Sequence, residues 1–106
     1  MSRHLKIYDN YFDVSLFNPR RCELTGLSSP VEIHHIDARG MGGRKSMDNI
    51  DNLMALTKEL HYLLGDKKQW KDFLRDQHQI YMETRIPLYE RDKKQFLSFR
   101  LSLRSL

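Results

Sequence analysis

A chain of 106 residues makes one domain, with room for a modest core but not for two. Its 40% hydrophobic and 30% charged residues exclude a disordered polymer, and no apolar run approaches the length that spans a bilayer. A net charge of +4 is compatible with a polyanionic partner without demanding one, and the single cysteine, Cys22, excludes an internal disulfide or an all-cysteine zinc cluster.

Residues 1–21 mix Tyr8, Tyr11, Phe12 and Phe17 with polar side chains and end at Asn18-Pro19-Arg20-Arg21, a turn signal. The next piece, CELTGLSSP, is turn-rich, and Val31 to Ile36 then predicts a short strand. ARGMGGRKSMDN is a glycine-rich, basic excursion, after which Ile50 to Leu56 predicts a second strand returning antiparallel. Thr57 suits a helix N-cap, because its hydroxyl can accept from free amides of the first turn, and Gly65 suits the left-handed close of that short helix. A second helix is expected from Asp66 to about Glu83, where Trp70, Phe73, Leu74 and Tyr81 recur at helical spacing, and Trp70, Phe73 and Leu74 read as core. Pro87 stops it, and the tail over 90–103 is read as helix although its leucines also alternate as in a strand. His4 and His78 have no partner at useful spacing and are taken as surface residues, Cys22 as a small buried hydrophobe, and Asp37 as solvated.

The chemistry concentrates in Glu32-Ile33-His34-His35-Ile36, then Asp51-Asn52-Leu53, then His61. Adjacent histidines on a strand point to opposite faces, so one can hold a metal while the other handles a proton. Hydrolysis of a phosphodiester needs both, and the expected activity is that of a small metal-dependent nuclease. The pattern resembles the HNH endonuclease family, whose signature runs "HHI … NL..L….H", over roughly Arg21 to Asp66. The separation of Asn52 from His61 matches that of the family's asparagine and last histidine, which selects Asn52 over Asn49. The resemblance implies an α+β fold: a ββα-metal core made of a short antiparallel hairpin plus a helix, with flanking helices. It implies one domain over 1–106, with a core at about 21–66, an N-terminal extension over 1–20 and a helical C-terminal extension over 67–106.

The resemblance further implies that His34 and His61 bind one divalent cation and that His35 is the general base on the attacking water. Asn52 would be either a third metal ligand or the residue that pins the loop and orients His35. Some members carry another metal histidine where Gly65 stands, so the site is oxygen-rich and suits magnesium or manganese, with zinc or nickel able to bind in vitro. Many members also have a zinc knuckle of two Cys-x-x-Cys pairs. Its positions here are Cys22, Thr25, Thr57 and Leu60, so no structural zinc is expected and the aromatic extensions must stabilise the fold instead. Arg39, Arg44, Lys45 and Lys58 are the phosphate-contact candidates, and the partner expected is double-stranded DNA, cleaved or nicked to 5′-phosphate and 3′-hydroxyl ends. Compact free-standing members occur in bacteriophages and mobile elements, so a cytoplasmic location in a bacterial or phage-infected cell is expected. A homodimer is left open, with the apolar tail as its interface. The competing reading is a catalytically inactive DNA-binding module that keeps the HNH fold.

Overall fold

The computed structural model describes residues 1–28, 30–38, 45–65 and 67–104. Its centre is an antiparallel pair, β1 (Val31–His35) and β2 (Leu53–Thr57), in the register Val31↔Thr57, Ile33↔Ala55 and His35↔Leu53. Every residue of β2 is buried, because the hairpin is covered on both faces. The two-residue period of the strand therefore feeds two separate cores. Leu53 and Ala55 join Ile33, Tyr8, Phe12 and Tyr81. Met54 and Leu56 join Leu60, Leu64, Leu74, Leu88, Phe96 and Phe99.

Helices supply the two covers. α1 (Arg3–Tyr11) brings Tyr8 to the first core, and Phe12 follows at its C-cap. α2 (Lys58–Leu64) follows β2 directly, with the Thr57 hydroxyl accepting from Leu60 N at 3.2 Å as the sequence predicts. Gly65 ends it at φ +44°, ψ −137°, a backbone region open to glycine and strained for other residues. α3 (Lys68–Thr84) matches the expected second helix, although Asp66, where that helix was expected to start, lies outside the described residues. Its Leu74 is fully buried, and Trp70 and Phe73 pack on the same core as expected.

Three expectations need correction. Ile50–Asn52 is a turn of 3-10 helix rather than the start of the second strand, because Asn52 N bonds back to Asn49 O at 2.9 Å and its side chain is tied to the preceding loop. The first strand ends at His35, although Ile36 N still reaches Asn52 O at 2.9 Å. The tail is helical but not continuous: α4 (Leu88–Arg91) and α5 (Lys93–Arg104) are separated at Asp92, whose carboxylate accepts from Gln95 N at 3.0 Å. A side chain that caps a new helix competes with continuing the old one.

The aromatic extensions do the packing that their composition suggests. Phe12 lies 5.3 Å from Tyr81 between ring centroids, and Phe73 stacks on Phe99 at 5.0 Å. At the positions aligned with the zinc knuckle, Cys22 and Leu60 are core residues, while the Thr25 hydroxyl accepts from Leu27 N and Thr57 caps α2. No described helix is long and apolar enough to cross a membrane.

Candidate functional site

His34 and His35 diverge from the end of β1, as alternation requires. His34 is almost completely buried and meets His61 of α2, with ring centroids 4.9 Å apart and planes at 62°. His61 is partly exposed, and its Nδ1 lies 2.8 Å from Glu32 Oε1. A carboxylate oxygen only accepts, so Nδ1 carries the proton and Nε2 of the neutral ring keeps its lone pair. A carboxylate behind an imidazole in this way fixes both tautomer and ring orientation for a metal ligand. The two imidazoles, from separate elements, are in edge-on ring contact.

On the opposite side, His35 Nε2 lies 2.7 Å from Asp48 Oδ1. Asp48 is buried, and Arg3 Nε stands 3.8 Å from its other oxygen. By the same logic Nε2–H donates to Asp48, which leaves Nδ1 as the nitrogen able to accept a proton. The ring of His4, from α1, meets the ring of His35 edge-on at 5.0 Å. His4 is therefore not the plain surface residue expected from the sequence. One ligand atom from each of His4, His35 and Asp48 lies within 4.8 Å of the others, close enough for the group to hold a metal ion.

Asn52, also buried, takes the loop-pinning role. Its Oδ1 accepts from Asp37 N at 2.7 Å, and its Nδ2 donates to Asp37 O and Met47 O, both at 2.9 Å. The amide thus fastens the chain after β1 to the chain before β2, holding in place the loop that carries Asp48. Asp37 is about half exposed, as expected of a solvated residue, and is also paired. Its carboxylate meets Arg75 Nη2 at 2.7 Å and Lys71 Nζ at 3.6 Å. The Arg75 hydrogen bond, aided by both cations, holds its pKa below the usual carboxylate value.

Lys45 and Lys58 are exposed, the first in a 3-10 turn spanning Lys45–Met47 and the second at the start of α2. Arg39 and Arg44 lie outside the described residues.

His78 also departs from expectation. It is buried, with Nδ1 at 2.7 Å from Glu23 Oε1 and Nε2 at 2.6 Å from Ile50 O. Glu23 is fully buried and also accepts from Tyr8 Oη at 2.7 Å and Ala55 N at 3.0 Å. Burial lowers the His78 pKa, but the hydrogen bond and charge of Glu23, with the Ile50 carbonyl, outweigh it and leave the pKa raised.

Of the residues missed, Asp48 and His4 carried no spacing signal. Asp48 lies in a loop whose path the sequence does not fix, and His4 lies outside the ββα segment altogether. No family model, curated protein or solved structure matches the chain.

Proposed function

We propose that the protein is a metal-dependent endonuclease of the HNH type, hydrolysing DNA phosphodiester bonds to 5′-phosphate and 3′-hydroxyl ends. The observation that carries this reading is the division of labour at the end of β1: His34 meets a second imidazole, and the neighbouring His35 meets a buried carboxylate. A divalent cation held by His34 and His61, magnesium or manganese, would supply electrostatic stabilisation of the charge on the scissile phosphate and the leaving oxygen.

The chain's own residues then have separate tasks. Nδ1 of His35 takes the proton from the attacking water as its oxygen bonds to phosphorus and the bond to the 3′ oxygen breaks. Asp48 holds Nε2–H and stabilises the imidazolium that results, as a carboxylate does behind a catalytic histidine elsewhere. Glu32 orients His61, and Asn52 fastens the chain after β1 to the segment that carries Asp48. Lys45 and Lys58, with Arg39 and Arg44, are the proposed phosphate contacts, which position the duplex without reading its sequence.

Nicking of supercoiled plasmid in magnesium, by the wild type and by His35→Ala, tests the reading. The expected loss is roughly 10²- to 10⁴-fold in rate. Equal rates would remove His35 as the base, and DNA binding without cleavage in any divalent metal would favour the inactive binding module.

A further inference from the structure

The His4, His35 and Asp48 group shares no residue with the His34–His61 pair, and it adds a buried carboxylate to two imidazoles. Three protein ligands, two of them imidazoles, suit a borderline first-row dication such as zinc or cobalt, whereas magnesium keeps several of its waters and binds through few protein ligands. The carboxylate is already in place, since the Asp48 side chain is 1% exposed and 2.7 Å from His35 Nε2. The ligand atoms lie within 4.8 Å of one another, and a tetrahedral zinc shell separates its ligands by about 3.3 Å. The widest pair must therefore close by up to about 1.5 Å. His4 sits in the first turn of α1 with its Nδ1 3.4 Å from Ser2 Oγ, so the ion must take Nε2 or displace that contact. Arg3 opposes a cation here, yet its side chain is 60% exposed and only 3.8 Å contact holds it to Asp48, so it can swing into solvent.

We propose that His4, His35 and Asp48 form a second cation site, selective for zinc-class dications over magnesium, that inhibits the protein by taking His35 out of proton transfer. Coordination through Nε2, the nitrogen facing Asp48, replaces its proton with the metal and moves that proton to Nδ1. The nitrogen that would accept from water is then already protonated, so no further reactant is needed for the block. The inhibition rests on the nuclease reading; the binding does not.

Cobalt and zinc titrations of the full chain test the two parts separately. A His34→Ala/His61→Ala double variant is expected to retain one cobalt per chain, with visible absorbance from nitrogen and oxygen ligands. Adding His4→Ala should weaken that binding by at least about ten-fold, while Arg3→Ala should tighten it. If the double variant fails to fold, the comparison becomes two ions in the wild type against one in His4→Ala. Magnesium-dependent nicking by the wild type should be inhibited by micromolar zinc, and His4→Ala, measured against its own rate in magnesium alone, should need at least about ten-fold more zinc for the same inhibition. Cobalt binding indifferent to His4→Ala would overturn the site, and zinc inhibition indifferent to it would overturn the block. Absence of nicking in magnesium alone would instead defeat the nuclease reading, and the cobalt absorbance would still decide the site.

Discussion

The side-chain amide of Asn52 makes all its hydrogen bonds to backbone: one acceptance from Asp37 N and two donations, to Asp37 O and Met47 O. Asn52→Asp keeps the shape but removes both donations and turns a carboxylate toward two buried carbonyls. Leaving two acceptors unmatched should cost on the order of 2–5 kcal/mol, read as a lower urea midpoint, and cleavage should fall about 10–100-fold through disorder of the loop that carries Asp48. An unchanged midpoint would mean that Asn52 does not fasten this loop. The residues legible in the sequence are those whose spacing reflects one local unit. His34, Asn52 and His61 belong to a strand, a turn and a helix consecutive in the chain, so their separations carry the geometry. His4 meets His35 only because α1 packs against the hairpin, and Asp48 reaches it from the loop between the strands; neither contact has a local signature. His78 meets Glu23 across 55 positions, which is why it read as a surface residue.

Several elements meet at one buried polar cluster. Glu23, fully buried, receives Tyr8 of α1, His78 of α3 and the amide of Ala55 in β2, while His78 reaches Ile50 in the turn before β2. Both nitrogens of His78 face acceptors, so the charged ring is the form that satisfies them. Its folded-state pKa lies above the unfolded value of about 6.5, so between the two the folded chain binds more protons than the unfolded chain. The stability this contributes is complete below about pH 6.5 and is lost as pH rises through the folded pKa. Urea denaturation across that range should show stability falling with pH in the wild type. His78→Gln should remove that slope while lowering stability at the acidic end, and a parallel slope in the variant would assign the dependence elsewhere. Element boundaries were legible where a side chain acts on its own neighbours. Thr57 and Gly65 bracket α2 as read, whereas the break at Asp92 was hidden because the residues on both sides favour helix. The first turn of the second strand was misread because IDNLMAL is apolar enough to suit either state, and only the Asn52 hydrogen bonds decide it.

At the scale of the whole molecule, strands of five residues and a helix of seven are too short to hold themselves. Where a structural metal holds such short elements together, folding fails with chelation. α1, α3 and α5 close a core on each face of the hairpin, and the aromatic residues outside the ββα segment were the sequence feature that anticipated this packing. Phe99 is the keystone of one side, 5.0 Å from Phe73, 5.5 Å from Trp70 and 6.1 Å from Phe96 between ring centroids. Phe99→Ala should destabilise the protein by about 3–5 kcal/mol, since the rings around the vacated volume cannot collapse fully into it. Excess chelator, by contrast, should leave the melting temperature of the wild type unchanged. The two measurements decide between sources of stability by magnitude. If packing holds the fold, the phenylalanine variant melts many degrees lower and chelation does nothing. If chelator alone lowers the melting temperature as far as Phe99→Ala does, a bound metal contributes stability comparable to the aromatic core, and packing alone does not hold the fold.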